Sequence, residues 1–223
     1  MNIYKNKTVE HDRDRGERTV KISEVLYLRK ANQIHHYIVE NFADGRDECQ
    51  EICMDIDDIK TLNDICKRIV KESKLADGWV YYDRTGYKHL KAGDEVELAE
   101  KDGLKFVPKG KCSANMLDEG DYIYDDSEHY ANKVEAIDKE GDEITIRYGQ
   151  EGVEKVITNS ELAEELLPTQ AGFFFGDTGY TEYYIEDLKE YIRQADEIIA
   201  DYETEIANGT DKYALDYTYQ ASW

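Results

Sequence analysis

VEAIDKEGDEITIRYG, residues 134–149, alternates apolar and polar positions on both sides of a Glu140-Gly141 turn, the period-2 signature of a β-hairpin. Working outward, WVYYDRTGYKHL (79–90), DEVELAE (94–100), LKFVPKG (104–110), GDYIYDD (120–126) and NKVEAID (132–138) are short and mostly separated by glycine turns. Strands so spaced predict a small antiparallel, barrel-like β module over 76–158. On either side the period changes to 3.6. SEVLYLRKANQIHHYIVENF (23–42) sets Tyr27, Leu28, Ala31, Ile34, Ile38 and Phe42 on one side, with Ser23 as its N-cap. DIDDIKTLNDICKRIVKESK (55–74) carries Ile59, Leu62, Ile65, Cys66, Ile69 and Val70 on one stripe, and TEYYIEDLKEYIRQADEIIADYETEI (181–206) carries Tyr184, Leu188, Tyr191, Ile192, Ala195, Ile198, Ile199 and Tyr202. NIYKNKTV (2–9) reads as a short strand, EHDRDRGER (10–18) as a charged loop, and YALDYTYQASW (213–223) as a final strand or a flexible tail. The expectation is an α+β protein: a discontinuous helical domain, 1–75 plus 159–223, with a β module inserted at 76–158.

The formal net charge of -22 is unevenly spread. Residues 1–75 hold 15 acidic and 14 basic side chains, 76–158 hold 20 and 11, and 159–223 hold 15 and 3. Such a field repels nucleic acid and anionic membranes and draws in basic surfaces, besides favouring solubility. Disorder does not follow, because 40% hydrophobic residues and 18 tyrosines are enough to close a core. Cys49, Cys53, Cys66 and Cys112 form no CxxC motif and read as reduced thiols rather than metal ligands. No secretory leader and no long apolar run is visible, so the expected location is a cytoplasm.

Three constellations are candidates for function. LDEGDYIYDDSEHY (117–130) crowds Asp118, Glu119, Asp121, Asp125, Asp126 and Glu128 around Tyr122, Tyr124 and Tyr130. The spacing is not that of an EF-hand. Carboxylates interleaved with aromatics imitate a phosphate backbone with stacked bases, to which arginine-rich grooves are complementary. The plainer alternative is a solvated loop. The helix at 181–206 surrounds its apolar stripe with acids, among them Glu190, Glu197 and Asp201, and forgoes the mixed-sign pairing usual on a solvent face. Third, Arg29, Asn32 and His35 with Phe173, Phe174 and Phe175 suggest a ligand pocket walled by aromatics; the plainer alternative is a hydrogen-bonded core histidine and a packed corner. There is no GxGxxG, no P-loop and no committed nucleophile motif, so neither an enzyme nor a cofactor is expected.

YLRKANQIHHYIVENFADGRDEC (27–49) together with AEELLPTQAGFFFGDTGYTEYYIEDLKEYI (163–192) resembles a family of small phage and prophage proteins with a YxRKANxIH helix, a DGxDxC turn and an LLPTxxGFFFGxT block. The resemblance implies a viral accessory protein and no particular activity. This chain lacks the family's Gly-Leu-Asp-Met start, and family members carry a short connection where it has the β insert. The combined expectation is a phage-encoded, non-enzymatic inhibitor of a host nucleic-acid-binding defence protein, of anti-CRISPR or anti-restriction type, that occupies a basic groove in the host cytoplasm. The alternative is a non-enzymatic binder that sequesters a nucleotide signal.

Overall fold

A computed structural model describes residues 1–12, 17–171 and 178–221. The chain forms two compact units, Met1–Lys74 with Ile157–Trp223, and Leu75–Val156. The first unit is not the helical domain that periodicity suggested. It is built on a four-stranded antiparallel sheet of β1 (Asn2–Asp12), β2 (Glu17–Tyr27), β3 (Ile52–Met54) and β10 (Leu215–Gln220), in the order β2-β1-β10-β3. Ile3, Leu26, Ile52, Met54, Tyr217 and Tyr219 are buried on this sheet. Helix α1 (Asn32–Phe42) reaches it through a His35–Tyr219 hydrogen bond, and α4 (Glu182–Ala207) through Lys5, which pairs with Asp201 and Glu205.

Helix α1 starts eight residues later than Ser23 would place it. Ser23 pairs with Lys5 inside β2, and Tyr27 pairs with Asn2 and is 53% exposed. The chain leaves the strand where Lys30 takes a positive φ of 61°, and helical hydrogen bonding begins beyond it. Helix α2 (Ile56–Glu72) starts with a capping box: the Asp55 carboxylate accepts the N–H groups of Asp57 and Asp58, and Asp58 accepts that of Asp55. Its buried Ile59, Leu62, Cys66 and Ile69 face α4, whose Tyr184, Leu188, Tyr191, Ala195 and Ile198 are buried in turn. Helix α3 (Ser160–Leu166) is short and also packs on α2. No helix among the described residues is long and apolar enough to cross a membrane.

The second unit is a six-stranded sheet of β4 (Leu75–Lys91), β5 (Glu95–Asp102), β6 (Lys105–Ser113), β7 (Tyr122–Ile123), β8 (Tyr130–Glu140) and β9 (Glu143–Ile157), with all but the end of β9 inside the unit. Its order is β4-β9-β8-β7-β5-β6, so β4 and β6 are edges and the sheet is open where a barrel was expected. The 134–149 hairpin is the β8–β9 pair, with Glu140 opposite Glu143. The sheet stays open because its edge strands β4 and β6 do not pair with each other. Val96, Leu117, Ile123, Val134, Ile144 and Ile146 form the main core of this unit, and Ala99, Phe106 and Ala131 form a second one. Glycines let aromatics lie across the long strands: a Cβ on Gly86 would meet the Tyr148 ring at 2.5 Å, and one on Gly149 would collide with the Tyr81 hydroxyl.

Candidate functional site

The acidic-aromatic segment of the second unit is held by its backbone. Asp121 N–H donates to the Asp118 carbonyl at 3.2 Å, the Asp121 carboxylate accepts Asp118 N–H at 3.0 Å, and Gly120 N–H donates to the Val134 carbonyl at 2.8 Å. Tyr124 N–H donates to the Glu97 carbonyl at 2.9 Å, and the Glu128 carbonyl accepts Phe106 N–H at 2.8 Å. Asp126 takes a positive φ of 68°, which turns the chain between Tyr124 and Glu128. The result is a pair of pinned turns on either side of β7, with Asp118, Glu119, Asp125, Asp126 and Glu128 exposed and Asp121 half-buried. Burial, reinforced by its neighbour Asp126, pushes the Asp125 carboxyl above the ordinary carboxylate range against the pull of two backbone N–H groups. Tyr122 and Tyr124 do not stand out as free stacking platforms: both pack, half-buried, on the Ala99–Phe106–Ala131 cluster, and the Tyr122 hydroxyl donates to Glu151 at 2.6 Å.

Electrostatic pairing separates this segment from the last helix. Among the described residues, none of the six carboxylates at 118–128 makes an ion pair, whereas five of the nine on α4 do, with Glu182, Glu186, Asp187 and Glu203 the exceptions. Arg193 bridges Glu190 and Glu197, each at 2.7 Å; Asp196 takes Lys67 at 2.6 Å; Asp201 takes Lys5; and Glu205 takes Lys7 at 2.6 Å and Lys5 at 3.3 Å. The Arg193 guanidinium holds Glu190 below the usual range, and Lys7, with help from Thr210 and Lys5, holds Glu205 at about 2. So Glu190, Glu197 and Asp201 already have internal cations, and they lie in the other unit from the 117–130 segment.

The proposed pocket residues divide in a similar way. His35 is buried with both ring nitrogens engaged, Nε2 with Asp47 at 3.2 Å and Nδ1 with the Tyr219 hydroxyl at 2.5 Å. Since a carboxylate only accepts, Nε2 carries the proton and Tyr219 donates to Nδ1. Burial, outweighing the attraction of Asp47, keeps the imidazole below its ordinary pKa and therefore neutral. Asn32 is buried as well, its side-chain oxygen accepting Gln170 N–H at 3.2 Å, while Arg29 is exposed. Phe173, Phe174 and Phe175 lie outside the described residues. Two features escape sequence reading. Asp187, under Gln33 at 3.3 Å, has its carboxyl raised to about 6 by burial, with Glu186 adding to it. Glu151, a buried acid in a strand, accepts from both Lys101 and Tyr122. Cys49 and Cys53 are both exposed and free, Cys53 within β3.

Searches of protein families, curated proteins and solved structures give no match to this chain.

Proposed function

We propose that the protein is a non-enzymatic, acidic interaction protein that docks into a basic nucleic-acid-binding groove of a partner, with Asp118, Glu119, Asp121, Asp125, Asp126 and Glu128 as the contacts. The observation that carries this reading is the pairing contrast: all six of these carboxylates are displayed on pinned turns flanking β7 without internal cations, while Glu190, Asp196, Glu197, Asp201 and Glu205 of α4 are paired within the fold. A preordered row of unpaired charge loses little conformational entropy on binding and gains most from a cationic surface. The proposal therefore centres on the second unit and leaves Glu190, Glu197 and Asp201 as structural residues. The phage-like sequence pattern and the overall charge support a setting in which the partner is a host defence nuclease or CRISPR effector, with inhibition by occupancy of its groove in the host cytoplasm.

The experiment is affinity capture from a bacterial host lysate with three baits: the wild-type chain, the Asp121→Asn/Asp125→Asn/Asp126→Asn variant, and a Glu190→Gln/Glu197→Gln variant. Asparagine keeps the side-chain oxygen that Asp121 offers to Asp118 N–H. A nucleic-acid-binding protein retained at low salt by the wild type and by the α4 variant, and lost by the triple variant, supports docking through the turn. Equal retention by all three baits refutes it.

A further inference from the structure

Beside the acidic turn, the second unit contains an aromatic cage around a cation. The Lys101 ammonium lies 4.3 Å from the Trp79 ring centroid and 5.3 Å from that of Tyr122. Phe106 packs against both rings, T-shaped with Trp79 at 4.9 Å and tilted against Tyr122 at 5.2 Å. Glu151 closes the site: one carboxylate oxygen accepts from Lys101 and the other from the Tyr122 hydroxyl at 2.6 Å. Two electron-rich ring faces and a carboxylate make an organic-cation receptor, because the rings attract positive charge electrostatically and repay its lost hydration.

The occupant side chain is reachable from solvent while its backbone stays paired with Phe106. Lys101 stands at the penultimate position of β5, beside the turn at Gly103, and its side chain is 34% exposed. The Glu151 side chain is only 11% exposed. Withdrawal of Lys101 alone would strand a buried carboxylate, so the cage exchanges one cation for another rather than emptying. An arginine or an alkylated ammonium is more weakly hydrated than a primary ammonium and stacks better on indole and phenol rings. We infer that the Trp79–Tyr122–Glu151 cage is a receptor for an organic cation and that Lys101 is its resident plug, displaced when a guanidinium or alkylammonium enters. Tyr122 itself belongs to the acidic segment. Assigning the entering group to a basic side chain of a docked partner rests on the function proposed above. Cation binding itself is measured without any partner, so either can fail alone.

Trp79 reports the binding once Trp223→Phe makes it the only tryptophan in the chain. In that background the Lys101→Met chain, the Lys101 chain and the Lys101→Met/Glu151→Gln chain are titrated at constant ionic strength with tetramethylammonium chloride and with N-acetylarginine amide. The expected result is a saturable change of Trp79 emission, at least about tenfold tighter without Lys101 and abolished when Glu151 is also neutralised. Saturation by tetramethylammonium alone assigns the cage to small alkylammonium ligands, and saturation by the arginine amide assigns it to a protein side chain. A non-saturable response that is the same in all three chains overturns the proposal. Should Lys101→Met lose its β-sheet circular dichroism, the chain retaining Lys101 decides by NMR. The ring-shifted Lys101 ε-methylene resonance moves to its unshifted position on titration if the plug is displaced, and stays fixed if the cage is only a structural ion pair.

Discussion

Neutralising Asp187 should stabilise the protein, and only above the pH at which it ionises. Asp187 sits half-buried on α4 with the Gln33 amide at 3.3 Å as its donor, and its carboxyl is raised from 3.8 to about 6, first by burial and then by Glu186. A raised acid binds its proton more tightly in the folded chain than in the unfolded one. Stability therefore falls as pH rises from about 4 to about 6, and the whole penalty is present above that window. At about 1.4 kcal/mol per pH unit the shift corresponds to roughly 3 kcal/mol, which solvent screening at a half-buried site reduces to about 1–3 kcal/mol. Asp187→Asn keeps an oxygen for Gln33 and removes the charge. The assay is urea unfolding of wild type and variant from pH 4 to pH 8, followed by the helical circular dichroism, since all the α-helices among the described residues belong to the first unit. The variant is expected to gain about 1–3 kcal/mol at pH 8 and nothing at pH 4. An equal change at both ends, or a loss at pH 8, would mean that the carboxylate is satisfied where it stands and would refute the argument.

Glu205 titrates in the opposite sense. Lys7, Thr210 and Lys5 depress it to about 2, so its contribution is present above the unfolded value of 4.5 and is lost as pH falls towards 2; Glu205→Gln should lower the melting temperature at pH 7 and leave it unchanged at pH 2 in a thermal scan. Gly149→Ala forces a methyl into the Tyr81 hydroxyl and should cost about 1–3 kcal/mol in chemical denaturation, with Tyr81→Ala in the same chain recovering part of the loss. His35→Phe leaves Tyr219 without its buried acceptor, and a loss of about 1–3 kcal/mol in urea unfolding is expected, with the loss absent if that hydroxyl finds another partner.

The elements that could be read from sequence are those whose signal is local. Helix α4 shows its stripe over 26 residues, α2 shows its own through Ile59, Leu62, Cys66 and Ile69, and the β8–β9 hairpin shows its alternation around Glu140-Gly141. The sheet of the first unit was hidden because its pairing is not local. Residues of β1 meet partners some 200 positions away in β10, from Asn2 against Gln220 to Lys7 against Leu215. Strand β2 was mistaken for the start of a helix because Tyr27 and Leu28 happen to continue the 3.6-residue stripe of α1 backwards. The same separation in sequence governs the site. The run of acids and tyrosines at 117–130 is visible as a string of letters, but the lysines that neutralise α4 are contributed by β1 and α2, so which acids remain unpaired appears only in three dimensions. Likewise, nothing near His35 in the chain announces Tyr219, and nothing near Glu151 announces Lys101.

The most direct test of groove occupancy is competition. With the captured partner loaded with a labelled nucleic acid, wild-type protein should displace the label at stoichiometric concentration and do so less well as salt is raised. The Asp121→Asn/Asp125→Asn/Asp126→Asn chain should need roughly threefold to hundredfold more protein, the range for loss of three exposed pairs at about 0.2–1 kcal/mol each. A partner that binds this protein and its nucleic acid together, with no displacement at any ratio, would contradict the account.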